Sequence, residues 1–146
     1  MAFPEPVSGL VIRYSYLWWR EYERGQEEGV KDRPCAVIMV VTDDQGNKVV
    51  TALPVTHTPP SGAALAVEIP YATKRRLGLD AERSWVMLTE ANRFVWPGPD
   101  LRMNESGGGS ESMAYGLLPR ALFKEITGKF ADAVEARLAR IIRRTQ

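Results

Sequence analysis

The 146-residue chain has one cysteine and one histidine. A single thiol excludes an intramolecular disulfide, and the two residues are too few for a cysteine/histidine zinc site. That usage fits a reducing compartment, so the expected location is the cytoplasm. No run approaches the ~18 apolar residues that a membrane-spanning helix needs. The opening MAFPEPVSG has two prolines and no basic, apolar stretch. Neither a signal peptide nor membrane insertion is therefore expected. GxxxxGK[ST], GxGxxG opening a helix, HExxH and GxSxG are missing, which removes the commoner nucleotide, metalloprotease and hydrolase signatures. A lone His57 cannot form a two-histidine acid-base pair, so any catalysis falls on arginines, carboxylates and hydroxyls, with no metal or cofactor expected. The glycines at 107–109 lack a following helix and read as a linker, not a phosphate loop.

What is present is 45% hydrophobic and 25% charged residues, with 19 Lys plus Arg against 18 Asp plus Glu, the profile of one globular domain over 1–146. At this length folding can bury roughly 68–70% of the unfolded chain's surface, enough for a core without staples. The net charge of +1 hides an asymmetry: residues 1–118 carry 12 basic and 15 acidic side chains, residues 119–146 carry 7 and 3. A basic tail can meet nucleic acid, but Arg137, Arg140, Arg143 and Arg144 also sit where a helix C-terminus favours cations, and that reading is preferred.

Residues 9–19, GLVIRYSYLWW, are β-branched and aromatic and predict a first strand. In a strand, Trp18 and Trp19 would face opposite sides, one packed and one exposed. Residues 20–33 hold nine charges with Gly25 and Gly29 among them, and predict an exposed loop. From Pro34, CAVIMVV is a strand covered on both faces; DDQGN supplies the turn of a hairpin whose second arm is KVVTALPV. Cys35 reads as an inert buried thiol. The loop Thr56 to Gly62 interrupts the sheet through its prolines. AALAVEI reads as a strand, TKRRLG as a helical turn closed by Gly78, and SWVMLTE with NRFVW as one or two more strands. Short strands between Gly and Pro turns point to a small barrel or sandwich. Residues 103–113 predict a flexible loop. Leu122, Ile126, Phe130, Val134, Leu138 and Ile142 recur every four residues and predict a long amphipathic helix over 119–144, bent near Gly128, packed on the sheet or in a dimer.

Within this order, GQEEGVKDRPCAVIMV resembles the G-x-E-x-x-G-x-R-P-x-x-V motif of the MazF/PemK toxins, with one extra residue before Arg-Pro. ALPVTHT is similar to that family's strand ending in P-x-T, GLVIRYSY to its opening strand, and RSWVMLTEANRFVW to its late strand. Thr89, Glu90, Ala91 and Asn92 stand where the family favours Asp-Gln and a basic residue, with Arg93 one place later. The resemblance covers roughly residues 8–144 by order of elements.

The resemblance implies an α+β, mainly β fold: a small SH3-like β-barrel of about five to seven strands, a short helix and the long C-terminal helix. It implies the toxin half of a type II toxin-antitoxin pair, a homodimer inhibited by an antitoxin protein. Its activity would be metal-independent cleavage of single-stranded RNA through 2′-OH attack on the adjacent phosphate. Arg33 would stabilise the charge of the phosphorane and Thr56 would donate its hydroxyl to it. Glu27 is the foremost candidate for the 2′-OH proton, with His57 and Arg93 behind it. Pro34, His57, Thr58, Arg93 and an exposed Trp19 would contact substrate, the tryptophan by stacking on a base. Two other readings remain open: a non-catalytic barrel resembling the CcdB proteins, which binds a protein target, and a silent relative whose helix serves dimerisation.

Overall fold

In the computed structural model the described residues are 4–26, 29, 31–102 and 113–144. They form a mainly β fold with eight strands in one sheet and three helices. The strands are β1 (Leu10–Tyr14), β2 (Arg33–Thr42), β3 (Lys48–Thr56), β4 (Ala66–Glu68), β5 (Trp85–Met87), β6 (Glu90–Val95), β7 (Ala114–Leu117) and β8 (Arg140–Arg143). The helices are α1 (Trp19–Glu23), α2 (Tyr71–Leu77) and α3 (Arg120–Glu135).

The β2–β3 hairpin is the spine. Its turn is built as the sequence predicts: the Asp43 carboxylate accepts the backbone N–H groups of Gln45 and Asn47, both at 2.9 Å, and Gly46 takes φ +83°. β2 pairs with β1, and β1 with β7, all antiparallel. On its other side β3 changes neighbour midway. Val49–Ala52 pair with β6, whereas Val55 and Thr56 pair with β5. Pro54, which has no N–H to give either strand, sits at the change. The expected closed barrel is not what the hydrogen bonds describe: among the described residues the path runs from β4 to β7 and stays open. β6 branches from β3 and pairs in parallel with β8.

The alternation of β2 builds two cores. Ala36 and Ile38 join Val11, Leu53 and Val55 beneath Leu122, Ile126 and Phe130 of α3. Cys35 and Val37 join Ile12, Tyr14, Val50 and Phe94 on the other face. Tyr14 stacks on Phe94 with ring centroids 4.4 Å apart. Complete burial pushes the Cys35 thiol well up, which keeps it an unreactive thiol.

Three expected boundaries move. The first strand stops at Tyr14, because the next residues are claimed by other partners: Ser15 N–H bonds to Asp100 O, and the Asn92 side chain brackets Leu17. Trp18 then becomes the N-cap of α1, its backbone N–H held by the Glu21 carboxylate at 3.1 Å. The tryptophans are therefore not on opposite faces of a strand. Residues 63–69 divide into a 3₁₀ turn (Ala63–Leu65) and β4.

The long C-terminal helix is the largest difference. α3 runs unbroken through Gly128 but ends at Glu135, with Arg137 at φ +60°. Leu138 N–H bonds to Ala133 O and Arg137 N–H to Val134 O, the paired closure of a Schellman cap. Arginine stands in the left-handed position where glycine is usual, so no stop signal is visible in the sequence. Of the apolar stripe, Leu122, Ile126 and Phe130 are buried, Val134 and Leu138 are exposed, and Ile142 is buried from β8 instead. The segment predicted as a flexible loop lies outside the described residues except for Met113, which is buried and accepts the N–H of Arg13. No helix among the described residues is long and apolar enough to cross a membrane.

Candidate active site

β2 begins and β3 ends at the same place. Cys35 faces Pro54, so two further residues of that register bring Arg33, the first residue of β2, opposite Thr56, the last of β3. Both line a cavity of about 310 Å³ together with Pro34 and His57. Its walls carry four cations, Arg13, Lys31, Arg33 and Lys74, against two carboxylates, Asp32 and Asp80. In a chain that is close to neutral, this local excess suits an anionic ligand.

Arg33 is half-buried and fixed from two sides. Its guanidinium carbon lies 4.8 Å from the centre of the Trp18 ring, and Nη1 donates to Val55 O at 3.4 Å. Its Nε is buried without a partner among the described residues. Burial lowers its pKa, with neighbouring charges opposing that in part; a guanidinium nevertheless stays charged in proteins. The result is a desolvated, oriented cation, the form in which electrostatic stabilisation is strongest. Thr56 Oγ1 accepts the Thr58 N–H at 3.1 Å, an arrangement that fixes the hydroxyl oxygen and leaves its proton to donate elsewhere.

Thr56 also borders a second, wider cavity of about 560 Å³, floored by Trp18, Trp19, Thr58, Pro59, Pro60 and Glu90. Trp18 and Arg33 border a third with Arg20, Arg24 and Lys31. The three hollows share walls: Arg33 lines the first and third, Thr56 the first and second, and Trp18 the second and third. Trp19 is fixed by its backbone N–H to Glu90 Oε1 at 2.8 Å and by the Arg140 guanidinium 5.0 Å from its ring centre. Burial pushes the Glu90 carboxyl upward, and the bonds from Trp19 N–H and Tyr16 O–H offset this only in part.

His57 is half-exposed, and its Nε2 lies 2.8 Å from Asp80 Oδ2. Asp80 Oδ1 in turn accepts from Lys74 Nζ at 2.6 Å. Burial would raise the Asp80 carboxyl, but the bonds and charges of Lys74 and His57 outweigh it and hold the pKa below the usual range. His57, Asp80 and Glu82 offer ligand atoms within 4.8 Å of one another. The Lys74 ammonium, already bonded to Asp80 and to the Glu82 carbonyl, supplies positive charge at that place.

Of the residues expected from sequence, Arg33, Pro34, Thr56 and His57 come together, and Thr58 and Trp19 line the adjoining hollow. Glu27 lies outside the described residues. Arg93 is not brought to these hollows: it projects from β6, donates from Nε to Thr51 Oγ1 at 3.1 Å and borders none of the three. Sequence reasoning missed Arg13, Lys74, Asp80, Trp18, Arg20 and Glu90. Arg13 alternates with buried Ile12 and Tyr14 on β1, a usable signal; Lys74 and Asp80 reach the site only through the packing of α2. No protein-family model matches the chain, and no curated protein is significantly similar to it.

Proposed function

We propose that this protein is a metal-independent endoribonuclease of MazF/PemK type, the toxin of a toxin-antitoxin pair. It acts in the cytoplasm as a homodimer on an open, mainly β scaffold and is blocked by an antitoxin protein. The observation that carries this reading is the placement of Arg33 opposite Thr56 at the adjoining ends of β2 and β3, inside a cation-rich groove. Single-stranded RNA lies along the groove with a base against Trp18 or Trp19 and a phosphate at Arg33. The 2′-oxygen attacks the adjacent phosphorus, the bond to the 5′-oxygen breaks, and the products are a 2′,3′-cyclic phosphate and a 5′-OH. Arg33 binds the phosphorane oxygens as their charge grows, and the Thr56 hydroxyl donates to the same group.

The test is incubation with a long single-stranded RNA in EDTA, with mapping of the cut ends. Discrete cuts bearing cyclic phosphates are expected, and Arg33→Ala should slow them by about 10²–10³-fold, the cost of losing a preorganised charge donor. Its melting temperature should fall by only a few degrees, since one cation-π contact is worth about 0.5–1 kcal/mol. For Thr56→Val a smaller loss is expected. A second reading, a non-catalytic CcdB-like binder of a protein target, is favoured by Met39, Val41 and Val95, each at least 40% exposed on the strands β2 and β6 that flank β3. Intact RNA after exposure to folded protein selects that reading.

A further inference from the structure

We propose that His57, held by Asp80 and Lys74, is the general base that takes the 2′-OH proton in this groove. The assignment rests on the ribonuclease reading above and gives it the group that Arg33 and Thr56 cannot supply, because a guanidinium and a threonine hydroxyl are poor proton acceptors near neutral pH.

Three linked observations carry it. Lys74 is only 2% exposed and spends its ammonium donors on Asp80 Oδ1, the Glu82 carbonyl and Ser84 Oγ. It is a fixed charge, not a solvated lysine. Asp80 is held by that charge and by the Glu82 N–H at 3.2 Å on the same oxygen, which leaves Oδ2 facing His57 Nε2. An ionised carboxylate accepts but cannot donate, so the proton of neutral His57 resides on Nε2 and the lone pair on Nδ1. Nδ1 has no hydrogen-bond partner among the described residues. A carboxylate that orients one nitrogen of an imidazole while the other meets substrate is the arrangement that makes histidine an efficient base. His57 directly follows Thr56 and shares the cavity with Arg33, so the base, the hydroxyl donor and the cation surround one space.

The charged groups around His57 come from four elements. Asp80 and Glu82 follow α2, which contributes Lys74. Lys31, Asp32 and Arg33 enter from the start of β2, Arg13 from β1 and Tyr115 from β7.

The step balances. Nδ1 accepts the 2′-OH proton as the 2′-oxygen bonds to phosphorus and the phosphorus to 5′-oxygen bond breaks. The 5′-oxygen takes a proton from water, and the imidazolium returns its own to solvent.

The experiment measures single-turnover cleavage of one RNA across pH by the wild type, His57→Ala, Asp80→Asn and Arg33→Ala. His57 is half-exposed, so its alanine variant keeps the fold, which a melting curve checks. His57→Ala should lose about 10²–10⁴-fold in rate, lose the fall in rate that the wild type shows toward acid pH, and recover with added imidazole. Asp80→Asn, a change at a positioning residue, should lower the rate less and displace the acid limb. Wild-type cleavage with an unchanged rate and acid limb in His57→Ala overturns the role of His57 and leaves the ribonuclease reading standing. No cleavage by the wild type removes both.

Discussion

Arg144 is the side chain whose removal this fold should tolerate least. It lies at the end of β8, 3% exposed, with Nη2 2.9 Å from the Asp100 carboxylate, which is itself 10% exposed. Nη1 donates to Ser15 O at 2.9 Å, Asn92 Oδ1 at 3.1 Å and the Tyr14 hydroxyl at 3.2 Å. Arg144→Ala leaves a buried carboxylate without its counter-charge and strips a donor from three acceptors. Breaking a buried pair from one side costs about 3–5 kcal/mol, a large part of a total stability of about 5–15 kcal/mol. For a chain of this size that is a fall in melting temperature of roughly 6–20 °C. Urea and thermal unfolding followed by circular dichroism measure it, with exposed Arg143→Ala as the control expected within about 0.5 kcal/mol of wild type. The double variant Arg144→Ala, Asp100→Ala should cost less than the sum of the singles, because the second change removes the orphaned charge. A single Arg144→Ala within about 1 kcal/mol of wild type would refute the reasoning. The functional consequence is also measurable: Arg144 and Asn92 together hold Ser15 and Leu17, which set the position of Trp18 beneath Arg33. Weakened RNA binding in the surviving folded fraction is expected.

Other outcomes follow from single contacts. The Glu90 carboxyl is pushed up in the folded state, so the native protein holds that proton more tightly than the unfolded chain. Stability from this group is full below the ordinary glutamate range and is lost as pH rises through the raised value; Glu90→Gln should therefore raise the melting temperature by at most a few degrees at neutral pH and lose that advantage in acid, as melting curves across pH will measure. Arg137→Gly relieves the left-handed φ of the α3 cap and should add about 0.5–1 kcal/mol to the unfolding free energy. Ile126→Ala empties a site with no exposure beneath α3 and should cost about 2–5 kcal/mol in the same assay. A Cβ at Gly29 would lie 2.1 Å from Tyr16 O. Gly29→Ala must therefore push backbone away from backbone, and a melting temperature equal to wild type would contradict that contact.

The sequence alone determined the elements whose signals are local. Continuous apolarity from Cys35 made β2 a strand, although it is buried on both faces only from Cys35 to Ile38 and Met39 and Val41 are exposed; Asp43 and Gly46 made the turn, and Gly78 closed α2 in the left-handed conformation that glycine adopts freely. The juxtaposition of Arg33 with Thr56 was not legible from the turn, whose register carried on would set Arg33 opposite His57; a bulge between Val37 and Met39 shifts the pairing by one residue. Tertiary structure decided what has no local signal. An apolar stripe at four-residue spacing serves a helix, yet Ile142 is better buried on a strand beside β6, and only that pairing shortens α3 and turns Arg144 inward to Asp100. Trp18 leaves the first strand because Asn92, some 75 residues away, brackets the backbone of Leu17. The surroundings of His57 depend on α2 docking Lys74 and Asp80 against the end of β3. Proximity of that kind between distant segments is set by how the cores close, and no spacing in the sequence encodes it.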